Sequence, residues 1–320
     1  MVEKKFNALK AVLVFNAEAG NADESPRQLV GILNELQSLN IQPRVVLIGP
    51  DQPVEELVQK GIDEGAKLVV VAGGDGTIES ITPIFIKNKV RLGIIPAGTR
   101  NNLALNLGIP ADIPSAVRLL RHGKSLQIDI GEVSSGNKKS LFIEVATLGL
   151  LADLHPHADD IQHGDLTKIG EFLSTLVSST PSKIKMKIND GKTVEAEAYM
   201  LLIANMPYLG PNMKIDPKVS FRDKLLDVFF FSDMGKLNLL SYAIRSLNGS
   251  PEDQSLEHYK VSQVEIETDP QMALRVDGAP LDAQQITVRV LPKAITVMAG
   301  STRGLGPDKS KVAQLKEAAQ

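Results

Sequence analysis

An α/β N-terminal domain on a parallel sheet, followed by a β-rich C-terminal sandwich domain, is the fold class this sequence predicts. Three observations lead there. From Lys10 to about Arg121, short apolar runs alternate with amphipathic stretches, the pattern of strands feeding crossover helices. Two of those runs end in glycine-bearing turns. After Gly123 the pattern changes to two-residue alternation broken by turn signals, as in hairpins.

Taken in order, Ala11 to Phe15, Arg44 to Ile48, Leu68 to Ala72 and Leu92 to Ile95 are short and β-branched, and Gly, Pro or Asn bounds them, which predicts four buried parallel strands. Between them, Leu29, Val30, Leu33 and Leu36 recur at helical spacing, and Val54, Leu57, Val58 and Ile62 repeat the arrangement. Ile113 to His122 predicts another helix, with Pro114 suited to its first turn and Gly123 to its end. Strands are then expected at Leu126 to Gly131 and Phe142 to Val145. Lys183 to Ile188, the turn Asn189-Asp190-Gly191-Lys192 and the return Val194 to Ile203 make a hairpin. Leu225 to Phe231, Val261 to Thr268, Leu274 to Val276, Ile286 to Leu291 and Ile295 to Met298 add strands enough for a sandwich. Gly164 to Ser178 and Leu237 to Leu247 read as helices.

The length of 320 residues suits two domains, expected at residues 1–124 and 125–300, with a polar tail at 301–320. Hydrophobic residues at 43% and charged residues at 23% are those of a chain that buries a core. Lys and Arg number 35 against 38 Asp and Glu, a formal charge of -3, so the basic excess of a nucleic-acid binder is missing. The absence of cysteine excludes disulfides, thiolate zinc sites, iron–sulfur clusters and a cysteine nucleophile. No apolar run is long enough for a transmembrane segment, and the stretch before Asn16 is too short for a signal peptide. A cytoplasmic protein is expected, peripheral at a membrane at most.

The chemistry concentrates at the ends of the predicted parallel strands. Gly73-Gly74-Asp75-Gly76-Thr77 follows the run Leu68 to Ala72 directly and opens into Ile78-Glu79-Ser80-Ile81. Glycines there let phosphate oxygens approach backbone N–H groups at a helix N-terminus. A carboxylate beside phosphate calls for a cation between them, which makes Asp75 a candidate Mg²⁺ ligand or water-network ligand. Pro96-Ala97-Gly98-Thr99-Arg100-Asn101 ends the neighbouring strand and can grip the same molecule, and Asn16-Ala17-Glu18-Ala19-Gly20 ends the first. Neither a Walker A nor a G-x-G-x-x-G pattern is present, which argues against P-loop NTPases and dinucleotide oxidoreductases.

These loops resemble those of the diacylglycerol kinase catalytic-domain family, which includes soluble bacterial lipid kinases and sphingosine kinases and is distantly related to NAD kinases. Asn16 to Gly20 is similar to its N-P-x-x-G loop, Gly73 to Thr77 to G-G-D-G-T, and Pro96 to Asn101 to P-x-G-T-x-N. The resemblance implies a Rossmann-like, NAD-kinase-like parallel sheet and ATP-dependent phosphorylation of a diacylglycerol-like lipid at the membrane surface. It implies ATP and Mg²⁺ as cofactors, with Asn16, Gly20, Gly73, Gly74, Asp75, Gly76, Thr77, Gly98, Thr99 and Asn101 around the nucleotide, and it leaves room for a homodimer. Ser220 to Val228 resembles the stretch that binds a structural Mg²⁺ in bacterial members, which would make Ser220, Asp223 and Leu225 the ligands, the first and last through their carbonyls. Val276 to Pro280 resembles the D-G-E segment beside the phosphate-accepting hydroxyl. Here Ala279 stands where the family carries the glutamate proposed as general base, so Asp277 becomes the candidate base, with Asp282 nearby, and Asp75 and Asp277 are the catalytic candidates. Ile78-Glu79-Ser80, Asn102 and Ala17 are further departures. Two alternatives stay open: a nucleotide- or lipid-binding sensor without transfer, and a kinase for a soluble hydroxyl compound.

Three weaker features have plainer explanations. His155, His157 and His163 among Asp153, Asp159, Asp160 and Asp165 lack a recognised ligand spacing and read as a solvated loop. Lys183, Lys185 and Lys187 share one strand face, which could meet anionic head groups but reads first as a solvated face. Phe172 to Val177 could line an acyl-chain entry or simply pack as a helix.

Overall fold

The computed structural model describes residues 8–20, 24–49, 52–154, 174–175, 177–189, 191–209, 215–232, 234–236, 238–239, 256–283 and 285–300. The histidine loop from His155 to Asp165, most of the expected helices at Gly164 to Ser178 and Leu237 to Leu247, and the 301–320 tail lie outside these residues. The described residues divide into two compact units, residues 8–128 with 293–300, and those within 129–292.

The first unit is a parallel sheet with crossover helices. Its elements are β1 (Leu9–Phe15), α1 (Ser25–Ser38), β2 (Ile41–Leu47), α2 (Val54–Asp63), β3 (Leu68–Gly73), α3 (Asp75–Lys87), β4 (Arg91–Pro96), α4 (Asn102–Asn106) and α5 (Ile113–His122). β1 pairs in parallel with β2 and β3, and β3 with β4, giving the order β2-β1-β3-β4. All six residues of β3 are buried, as a strand covered on both faces requires. The edge strand β2 keeps Val45 and Leu47 exposed. The core gathers Leu13, Phe15, Ile32, Leu36, Leu68, Val70, Ile95, Val117 and Leu120. On α1 the buried stripe runs through Ile32 and Leu36, while Val30, expected to face inward, is 58% exposed. In α5 the Asp112 carboxylate caps the helix by accepting the Ser115 N–H, while Arg121 and His122 occupy the last turn.

The second unit is built from antiparallel strands. β5 (Lys124–Ser135), β6 (Lys138–Phe142), β7 (Val145–Gly149), β8 (Ser182–Ile188), β9 (Lys192–Ala204), β10 (Leu226–Ser232), β11 (Glu257–Val261), β12 (Gln263–Asp269), β13 (Leu274–Val276), β14 (Ala279–Pro280) and β15 (Gln285–Ala299) follow in order. The expected hairpin forms, with Ser182 opposite Ala198 and Ile188 opposite Lys192. β9 also pairs with β7 and β10, and alternate residues of these strands feed two cores. Leu201, Ile203, Val228 and Phe230 enter one; Met200, Leu202, Phe229 and Phe231 enter the other.

Two differences from the sequence reading have local causes. The run Val261 to Thr268 splits into β11 and β12 at Ser262, where the Asn189 side chain takes the N–H groups of Ser262 and Gln263. Ile286 to Leu291 and Ile295 to Met298 form one strand, β15, which continues through Pro292 and a positive-φ Lys293. Its first part pairs with β12 in the second unit, and its last part pairs in parallel with β4 in the first.

Candidate active site

Three loops meet at the carboxyl end of the parallel sheet, all within the first unit. Their backbones interlock directly. Asn16 N–H donates to the Ala72 carbonyl and Ala97 N–H to the Gly73 carbonyl, each continuing a strand ladder into its loop. The Asn16 side-chain amide then donates to Thr77 Oγ1 at 3.0 Å, tying the first loop to the opening turn of α3. Thr77 is buried, so its hydroxyl serves this junction, whereas Gly76 and Thr99 are exposed.

Glycine at 74 and 98 is required by contact between the two central loops. A methyl group on Gly98 would come within 2.4 Å of the Gly74 Cα, and one on Gly20 within 2.6 Å of the Ala97 carbonyl oxygen. Ordinary contact needs about 3.5 Å, so no other residue fits at 98 without parting the loops. Asn101 adopts a left-handed conformation, φ 52°, and its side chain closes the second loop by accepting Gly98 N–H at 3.0 Å and donating to the Gly98 carbonyl at 2.6 Å.

Asp75 braces the pair from below. Its Oδ2 accepts Asn102 N–H at 2.9 Å and its Oδ1 accepts Leu103 N–H at 3.1 Å, so a carboxylate from the first loop caps α4 in the second. Burial pushes the Asp75 pKa up, against the opposing pull of those two amides and of Arg100. A half-buried carboxylate with weakened acidity is a group that a cation would favour. Beside it the Asn102 Oδ1 is buried without a hydrogen-bond donor. The donor set and the glycine-lined contact therefore suit a phosphate with an associated Mg²⁺. The sequence reading missed α4 and its bond to Asp75; a five-residue helix carries too little periodicity to find.

Asp277, the candidate base, lies in the second unit. Asp277 and Gly278, at φ 45° and 89°, form the two-residue turn between β13 and β14. The carboxylate accepts N–H bonds from Ile143 at 2.6 Å, Glu144 at 3.0 Å and Val145 at 2.8 Å. Both of its oxygens thus hold the 143–145 backbone, as the Asp75 oxygens hold that of 102 and 103. Ala279 is exposed with no carboxylate of its own, and the exposed Asp282 receives a bond from Gln271.

The expected Mg²⁺ ligands Ser220, Asp223 and Leu225 face another partner. Asp223 Oδ1 accepts the Leu225 N–H at 3.1 Å, and its Oδ2 lies 2.8 Å from the Lys260 ammonium. Among the described residues no group of three His, Asp or Glu side chains is arranged to hold a metal ion. Lys260 thus occupies the Asp223 carboxylate that the resemblance would give to Mg²⁺. The lysine face of β8 is likewise answered by charge: Lys185 pairs with Glu195 at 3.4 Å, and Lys187 sits 3.9 Å from Glu265. That is the solvated ladder of the plainer reading.

A glycine-paired, carboxylate-braced loop cluster on a parallel sheet, carried in one chain with a β-rich unit, is the arrangement expected of the α/β kinase class. Comparison with known proteins makes the class specific. Residues 10–133 match the diacylglycerol kinase catalytic domain, and residues 146–299 match the YegS C-terminal NAD kinase beta sandwich-like domain. A Bacillus subtilis diacylglycerol kinase is 29% identical over 218 residues, 66% of this chain and 70% of that protein. A Citrobacter koseri protein named "Probable lipid kinase YegS-like" is 25% identical over 293 residues, 89% of this chain and 94% of its own. A crystal structure of a Bacillus anthracis diacylglycerol kinase shares the fold with TM-score 0.70 at 20% identity, covering 92% of this chain and 98% of that one. The chain belongs to the diacylglycerol kinase catalytic-domain family, a lipid kinase family. No helix among the described residues is long and apolar enough to cross a membrane.

Proposed function

We propose that the protein transfers the γ-phosphoryl group of ATP to the hydroxyl of a diacylglycerol-like lipid. Residues 1–124 supply the nucleotide loops and residues 125–300 the lipid-substrate part. The observation that carries this reading is the Gly74–Gly98 contact braced by Asp75, which sets backbone N–H groups and one half-buried carboxylate at the carboxyl ends of adjacent parallel strands. When bound, ATP with Mg²⁺ supplies the phosphoryl group and part of the charge neutralisation that a loose transition state needs.

The chain's own residues then have assigned tasks. Gly74, Gly76 and the α3 N-terminus receive phosphate oxygens, Thr99 offers its exposed hydroxyl, and Asp75 holds the cation side of the nucleotide while keeping the second loop in place. Asn16 and Asn101 position these loops and touch no reacting atom. With Ala279 lacking a carboxylate, proton removal from the acceptor would fall to Asp277, whose oxygens already hold three backbone amides. Phosphoryl transfer relies mainly on positioning and charge, so the reaction is slowed by that lack and not forbidden. The same two residues favour a second reading, a protein that binds nucleotide and lipid without transfer.

Incubation with ATP, Mg²⁺ and diacylglycerol in mixed micelles, followed by mass spectrometry of the lipid, separates the two. Phosphatidic acid is the expected product. Saturable ATP binding with no phosphorylated lipid would favour the second reading.

A further inference from the structure

In the 218–227 segment two aspartates, Asp223 and Asp227, meet one lysine of the neighbouring strand β11. Asp227 lies in the apolar strand β10 with its side chain fully buried, and Asp223 stands at the segment's centre, about a third exposed. Lys260 reaches both from β11. Its Nζ lies 2.8 Å from Asp223 Oδ2, 3.1 Å from Asp227 Oδ1 and 3.3 Å from Asp227 Oδ2, and it also reaches the Lys218 carbonyl at 3.4 Å. His258 Nε2 donates to Asp227 Oδ1 at 2.6 Å and stacks on Phe229, 4.5 Å between ring centres. Asp129, also buried, accepts the Lys224 N–H at 2.7 Å and fixes the segment from its other side.

A buried carboxylate without a counter-charge is costly, and the segment's fold depends on finding one. We infer that Lys260 is the built-in cation of this segment, supplying by a fixed ammonium the positive charge that Asp223 and Asp227 require, so that the 218–227 fold needs no divalent ion. The ammonium occupies the inner side of the Asp223 carboxylate and gathers oxygens from three residues, the arrangement a bound metal would otherwise make. A consequence is that divalent-cation dependence of this protein belongs to its nucleotide loops alone. The inference stands whether or not lipid is the acceptor.

The test is a melting comparison without nucleotide, in excess chelator and in excess Mg²⁺, for the wild type, Asp223→Asn and Lys260→Met. The wild type and Asp223→Asn should gain the same small increment from Mg²⁺, since any ion at Asp75 acts equally in both. Lys260→Met should melt at least about 3 °C lower in chelator, as uncompensated charge at a partly buried pair predicts, and should recover part of that loss with Mg²⁺ or Ca²⁺. Lys260→Arg, which keeps the charge, should stay close to wild type. A wild type that gains distinctly more from Mg²⁺ than Asp223→Asn does would overturn the inference. So would Lys260→Met melting like wild type in chelator.

Discussion

Replacing Gly98 with alanine tests the loop contact at its tightest point. The new methyl would lie 2.4 Å from the Gly74 Cα and 3.0 Å from the Gly74 nitrogen, both backbone atoms that no rotamer change can move. Restoring ordinary contact parts the two loops by about 1 Å. Overpacking of this kind costs about 1–3 kcal/mol, which in a unit of this size lowers the melting temperature by roughly 2–10 °C. A 1 Å displacement of groups that position a reacting phosphate costs on the order of 10²-fold in rate, so kcat/KM for ATP should fall by about two decades while the fold persists. Gly74→Ala provides the internal comparison. Its methyl would meet Gly98 Cα at 3.2 Å, so it should destabilise the nucleotide-free protein less than Gly98→Ala does. Calorimetry for melting and a coupled assay for ADP release measure the two effects. A Gly98→Ala protein with wild-type melting and activity within twofold would refute the reasoning, as would a Gly74→Ala protein that melts lower than Gly98→Ala.

Asp75→Asn should leave the protein folded but lose most ATP turnover, since it removes the half-buried charge and one of the two acceptors for the Asn102 and Leu103 amides; circular dichroism and turnover at saturating Mg²⁺ check the two halves. Because burial raises the Asp75 pKa, the folded state binds its proton more tightly than the unfolded chain, so this group's contribution to nucleotide-free stability rises as pH falls through the window just above the ordinary value of 3.8. Mg²⁺–nucleotide affinity should weaken over the same window, a trend that titration calorimetry should find missing in Asp75→Asn. Asp277→Asn should lower melting by several degrees, because three backbone amides lose a charged acceptor; unchanged melting with turnover down about 10²-fold or more would assign Asp277 the role of base. Ala279→Glu should leave melting unchanged at an exposed site and raise the rate of lipid phosphorylation, and a rate equal to or below wild type would show that this position lacks no base.

Much of the fold was legible because its signals are local. The runs at Ala11, Leu68 and Leu92 became β1, β3 and β4, and the alternation Lys183 to Ile188 became β8 with its lysines outward, since period and burial coincide there. The three loops were also found, as each lies at a strand's carboxyl end. What sequence could not give was which polar groups answer one another over long separations. Asp75 reaches residues 102 and 103, Asp277 reaches 143 to 145, and Lys260 reaches 223 and 227, and none of these pairings leaves a periodic trace. One signal was available. Asp129 between Ile128 and Ile130, and Asp227 between Leu226 and Val228, are charges inside apolar runs, and such residues must have buried partners.

The central claim is that the Asp75-braced loops deliver the γ-phosphoryl group of ATP to a lipid hydroxyl. The most direct measurement uses ATP labelled in its γ-phosphoryl group, Mg²⁺, and matched micelles of diacylglycerol, a sphingoid base or no lipid, with wild type and Asp75→Asn in parallel. The account predicts label in phosphatidic acid with the wild type, nearly none with Asp75→Asn, and no comparable label elsewhere. Label that stays in ATP or appears only as inorganic phosphate, while the wild type binds nucleotide normally, would contradict it.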